Sequence, residues 1–139
     1  MRATTKSLRL KCHYLDDKNI IEKLTVLQLV GKNWVTFDLS TRSTGFDMLA
    51  SSILASQHNI LRRYLTESGV RLTSCNATLL IKAHDGWNID ELISTFKVNT
   101  LQIEPVSDSI QDILDSLRTS PAILNLNPDI RVDTSLQIR

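Results

Sequence analysis

Two cysteines and three histidines are the side chains of this sequence that could serve as thiolate nucleophile, general base or soft metal ligand. Cys12 and Cys75 stand 63 positions apart, with no further Cys or His at metal-ligand spacing. Neither a disulfide framework nor a zinc site follows, and no metal or cofactor is expected. His13, His58 and His84 fall in three different elements and have no Ser, Asp or Cys partner at the spacing of a triad. Each reads as a surface or hairpin residue. Cys12 falls on the apolar face of a strand, where burial raises a thiol's pKa and leaves it inert. Cys75 lies near the start of another strand, with no adjacent base or helix N-terminus to activate it.

Three further polar residues sit where chemistry could be staged. Gln57 stands seven residues after Ala50 and seven before Tyr64, inside the apolar stripe of a long helix. A buried amide is costly unless its hydrogen-bonding sites are mostly paired. Gln57 is therefore either a core or interface amide satisfied by backbone, or the point where the stripe opens onto a pocket. Ser120, directly before Pro121, has the form of an ordinary helix cap. Asp47 has the form of a first-turn carboxylate favoured by the helix dipole.

The elements that must position these residues follow from periodicity. Ser7 to Tyr14 alternates strictly, with Leu8, Leu10, Cys12 and Tyr14 on one face of a half-buried strand. Asp16-Asp17-Lys18-Asn19 turns the chain into a second strand over Glu22 to Val30. Gly31-Lys32-Asn33 then leads to a third over Trp34 to Leu39. Short turns imply an antiparallel meander. Thr44-Gly45-Phe46-Asp47 resembles a capping box and opens a helix of about 24 residues, roughly 36 Å long, which stops at Gly69. That exceeds what a sheet of this size needs, so the rod is expected to serve a partner subunit as well.

Leu72 to Ala83 is β-rich and Asp85-Gly86 marks a turn. Asp90 to Glu104 is strand-like, but its apolar set changes face at Leu101. Ser107 caps a short helix, Ser120-Pro121 restarts a helical turn, and Ile130 to Ile138 alternates cleanly. The expectation is one α+β domain over 1–139 in the order β-β-β-α-β-β-α-α-β.

A chain of 139 residues with 42% apolar and 22% charged residues has the balance of a globular protein. A net charge of +1 supplies no global field for nucleic acid or an acidic membrane, so such a partner would need a local basic patch. The densest cationic pair, Arg62-Arg63, reads as decoration on a wet helix face. No apolar run reaches signal-peptide or membrane-span length. A cytoplasmic protein without nucleic-acid or membrane partners is expected.

Two segments together resemble the OsmC/Ohr family of hydroperoxide reductases. Gly45-Phe46-Asp47-Met48-Leu49-Ala50-Ser51-Ser52-Ile53-Leu54-Ala55-Ser56-Gln57 is similar to that family's long-helix motif, which runs from an Asn-Pro-Glu-type start to a peroxidatic Cys. Ser120-Pro121-Ala122-Ile123-Leu124-Asn125-Leu126-Asn127-Pro128-Asp129-Ile130 resembles its Cys-Pro segment with the resolving Cys. The order of elements agrees over nearly the whole chain. The resemblance implies an interlocked homodimer with sheets packed on long central helices and two pockets at the interface. It places the peroxidatic position on Gln57, the resolving position on Ser120 and the family's Glu on Asp47. The family also uses an Arg from the early strands; the hairpin over Asp16 to Asn19 contains none, so no residue is assigned.

Peroxide reduction needs a thiolate to attack the O–O bond and a second thiol to close a disulfide. An amide cannot do the first and a serine hydroxyl cannot do the second. The leading expectation is a catalytically degenerate homodimer that holds a small, partly apolar ligand at its interface or has a structural role. An enzyme that recruits Cys12 or Cys75, and an unrelated α+β binding module, are the alternatives.

Overall fold

The computed structural model describes residues 3–40, 43–85, 88–101, 110–118 and 130–139. Its elements are β1 (Ala3–Leu15), β2 (Ile20–Val30), β3 (Asn33–Thr36), α1 (Gly45–Glu67), β4 (Leu72–His84), β5 (Asn88–Thr100), α2 (Ile110–Arg118) and β6 (Arg131–Ile138). The six strands form one sheet in the order β3-β2-β1-β4-β5-β6. The meander is as expected, but pairing is not antiparallel throughout. β6 runs parallel to β5, because the chain crosses back by way of α2 before entering it.

Alternation decides which side of the sheet is dry. Leu8, Leu10, Cys12 and Tyr14 of β1 point inward beside Cys75, Ala77, Leu79 and Ile81 of β4. In β5 the inward set is Leu92, Ser94, Phe96 and Val98, so the segment whose face was ambiguous is a strand, and it ends before exposed Leu101. Buried Ser94 faces Thr134 of β6 at 3.1 Å, so two hydroxyls satisfy each other where apolar contact would otherwise run unbroken. The third strand is shorter than its alternation suggested, yet Phe37 just beyond it is still buried.

Helix α1 lies over β1 and β4, and α2 packs against β6 and α1. Ala50, Ile53, Leu54, Leu61 and Leu65 supply the buried stripe of α1, each Leu or Ile contributing about 1.5–3 kcal/mol by burial. Thr44 caps α1 by accepting from the Asp47 amide at 3.1 Å. The Ser68, Gly69 and Val70 amides close its last turn onto Tyr64, Thr66 and Leu65 carbonyls, with Gly69 at φ +79°. The helical turn at Pro121, the cap at Ser107 and Ser120 itself lie outside the described residues.

Asn19 pins the first hairpin to the far end of α1. Its φ of +53° is in the left-handed region that Asn tolerates better than most residues, and its side chain is fully buried. Nδ2 donates to Thr66 Oγ1 at 2.9 Å and to the Val70 carbonyl at 2.8 Å, while Oδ1 accepts from the Leu72 amide at 2.7 Å. Asn19→Ala loses all three bonds and adds backbone strain, and should cost about 2–4 kcal/mol. Asn19→Gly loses the bonds but not the backbone fit, so denaturant unfolding should place it between wild type and the alanine variant. Equal stabilities for all three proteins would refute the pin.

Candidate functional site

The underside of α1 carries three separate polar joints. At its N-terminal end Lys6 of β1 points inward, at the same parity as Leu8 and Leu10. Its ammonium donates to Asp47 Oδ1 at 2.7 Å and to Gln28 Oε1 at 2.7 Å, and it lies 5.2 Å from the centre of the Phe37 ring. Asp47 is therefore more than a first-turn carboxylate: it receives the Lys6 ammonium from β1. The sequence shows that Lys6 shares the inward parity of Leu8 and Leu10, but not which acceptor it meets. A lysine on the inward parity of a strand requires an acceptor from the element that covers it.

The second joint is at mid-helix. His58 is buried, which corrects its reading as a surface residue, and its Nε2 lies 2.6 Å from the Tyr14 hydroxyl. Burial, and behind it the Arg62 charge, push the His58 pKa down to about 4, so the ring is neutral near pH 7. With the ring proton on Nδ1, Tyr14 donates to Nε2. Next to Tyr14, Cys12 and Cys75 occupy directly opposed positions on β1 and β4. Burial raises the pKa of both thiols, that of Cys75 to about 12, despite the nearby Tyr14 hydroxyl. Both cysteines are free, and as expected for Cys12 the thiol is held in its poorly nucleophilic form. Strand parity showed that Cys12 would be buried; that Cys75 faces it depended on the β1–β4 register.

Gln57 forms the third joint. It is buried against α2, where its Nε2 donates to the Leu117 carbonyl at 3.3 Å, and Oε1 has no hydrogen-bond partner among the described residues. Ten residues separate it from Asp47 along α1, about 15 Å of rise, so one chain does not bring the two side chains together. Arg62 also departs from its reading as wet decoration. Its Nη1 donates to the Asn19 carbonyl at 3.2 Å, and its Nε is buried without a partner among the described residues. Arg63 is exposed and stacks over Tyr64 at 5.8 Å.

A cavity of about 150 Å³ opens between α1 and the first hairpin. Leu10, Leu24, Val26 and Leu54 form its apolar wall, and His58, Asn59 and Ser51 are its polar groups. Its volume lies below the roughly 300–1,000 Å³ of ordinary small-molecule pockets, leaving room for only a few heavy atoms. A wider groove of about 920 Å³ runs along the outer side of α1, past Ser52, Ala55, Ser56 and Asn59. Among the described residues no cluster of His, Cys, Asp or Glu could hold a metal ion, and no helix is long and apolar enough to cross a membrane.

The His58 environment sets a pH dependence. The folded pKa of about 4 lies below the ordinary 6.5, so the unfolded chain binds more protons between those values. Stability is fully present above pH 6.5 and is lost as pH falls toward 4, by on the order of 3 kcal/mol from this group. His58→Gln should flatten that part of the stability–pH curve obtained by denaturant unfolding. An unchanged slope would show that His58 is not the titrating group. Gln57→Met removes an orphaned acceptor at similar volume and should change stability by less than about 1.5 kcal/mol.

No family model and no curated protein matches the sequence. Solved structures do match. An OsmC-like protein from Mycoplasma pneumoniae superimposes with a TM-score of 0.52 at 11% identity, covering 99% of this chain and 95% of that one. A structure from a structural-genomics effort gives 0.59 at 12% identity, over 99% and 98% of the two chains. An OsmC-like hydroperoxide resistance protein from Jannaschia sp. CCS1 is more distant, with a TM-score of 0.45 at 9% identity over 87% and 85%. Both of the first two matches cover nearly the whole of each chain. This chain has the OsmC-like α+β fold.

Proposed function

We propose that this protein is an OsmC-like homodimer that has lost the thiol chemistry of hydroperoxide reduction and binds a small, partly apolar molecule beside α1. The observation that carries the reading is the location of sulfur. The position that resembles the peroxidatic site holds Gln57, an amide buried against α2. The only two cysteines lie beneath α1 with raised pKa values. A hydroperoxide has no thiolate to meet.

A second copy is supported by what a single chain leaves bare. α1 covers β1 and β4, but the inner face of β2 and β3 extends beyond it. There Leu24, Val30 and Val35 are 44%, 54% and 40% exposed, and Met48 on α1 is 53% exposed. Apolar side chains on the inward side of a sheet are costly in water, and a symmetric partner would cover each copy's patch with the other's. The α1–hairpin cavity would then lie close to the interface, with His58 as its neutral polar group.

Purified protein given an organic hydroperoxide and a dithiol reductant should consume none above the buffer rate. Sustained consumption that disappears in Cys12→Ser or Cys75→Ser would overturn the reading in favour of a recruited cysteine. Thiol titration of the folded protein should be slow near neutral pH and fast in denaturant. Native mass spectrometry should show twice the 15.7 kDa chain mass, with any co-purified molecule as added mass. A strictly monomeric species would remove the dimer from the reading.

A further inference from the structure

The outer face of the sheet, on the opposite side from α1, gathers cations that are scattered through the sequence. Strand register places Lys11, Asn76, Lys97 and Gln137 side by side across β1, β4, β5 and β6. The neighbouring row is Arg9, Thr78, Thr95 and Ser135. At strand spacing, Lys11 and Lys97 flank Asn76 about 10 Å apart, and Arg9 lies about 7 Å along from Lys11. No acidic side chain occupies these rows, nor the row beyond, where Lys23, His13, Ser74 and Asn99 align. The acids on this face are Asp133, one row beyond Ser135, with Glu91 and Asp90 further along, and they already pair with Arg131, Lys82 and His84.

Lys11, Lys97 and Arg9 have no ion-pair partner among the described residues, and Arg9 is held in place by stacking over Trp34 at 4.2 Å. A groove of about 450 Å³ crosses the sheet between them, lined by Arg9, Lys11, Asn76, Thr78, Thr95 and Lys97. Three uncompensated cations on rigid strands repel one another, an arrangement that an anion relieves. The interleaved amide and hydroxyls add uncharged donors suited to phosphate oxygens.

We infer that this groove binds a compact oligophosphate anion, the size and charge of the triphosphate tail of a nucleotide. The site is small because the concavity spans only β1, β4 and β5, and a long polyanion would find no continued groove. It is independent of the cavity beside α1 and lies on the opposite face from the surface proposed to join two copies.

Calorimetric titration of the full-length protein with inorganic tripolyphosphate tests the inference. Binding should weaken severalfold when salt is raised from about 50 to about 200 mM, as expected for contacts between exposed charges. The double variant Lys11→Gln/Lys97→Gln should lose roughly tenfold or more in affinity with an unchanged circular dichroism spectrum. Lys32→Gln, an exposed cation in the β2–β3 turn, should bind like wild type. Absence of binding to wild type, unchanged affinity in the double variant, or an equal loss in Lys32→Gln would each overturn the site. Tighter binding of a single-stranded oligothymidylate than of tripolyphosphate would overturn the compact occupant.

Discussion

Helix α1 can shield the centre of the sheet only if it is held at both ends, and each end is held by a polar joint. Lys6 and Asp47 fix the start of the helix to β1 and, through Gln28, to β2. Asn19 fixes the hairpin that joins those strands to the helix's last turn and to the chain that leaves it. Between these joints the contacts are mostly apolar and weakly directional, so they would allow the helix to slide or rotate by a fraction of a turn. The hydrogen bonds would not, because a displaced helix leaves buried donors and acceptors unpaired.

That constraint explains the character of the interior beneath α1. Cys12, Cys75, Tyr14 and His58 meet in a place that is polar by composition yet neutral in charge. Burial drives the thiol and phenol pKa values up and the imidazole value down. Each shift disfavours an ion, and all four groups keep their protons or lack of them across the neutral range. The same residue types, arranged around a solvated thiolate, would make a redox centre. Here desolvation outweighs the hydrogen bonds and the Arg62 charge that act in the opposite direction on Cys12.

The two faces of the sheet follow one rule with opposite results. Inward parity collects mostly Leu, Ile, Phe and Cys, with Lys6 and Gln28 as exceptions. Outward parity collects Lys, Arg, Asn, Thr and Ser across β1, β4, β5 and β6, with apolar Leu80 and Ile93 among them and apolar Leu27, Leu29 and Trp34 alongside on β2 and β3. A net charge of +1 conceals this, because the acids are concentrated at turns, on the helices and at the far end of β5 and β6. A protein nearly neutral as a whole therefore presents a cationic surface on its outer sheet and an apolar one on the inner side of β2 and β3.

Much of the architecture was legible in the sequence, because it is written in local periodicity. The alternation of Leu8, Leu10, Cys12 and Tyr14, the helical stripe from Phe46 to Leu65 and the stop at Gly69 each depend on neighbours only a few residues away. Burial of Cys12 and of Gln57 followed from the same patterns. What local periodicity does not contain is register and pairing between distant segments. That Cys75 lies opposite Cys12 and that Lys11 and Lys97 share a row are consequences of how β1 aligns with β4 and β5; that Lys6 reaches Asp47 and that His58 is enclosed with Tyr14 are consequences of how α1 docks on β1. Shifting β1 by a single residue would exchange its inward and outward sets and abolish these meetings, so only the tertiary structure could decide them.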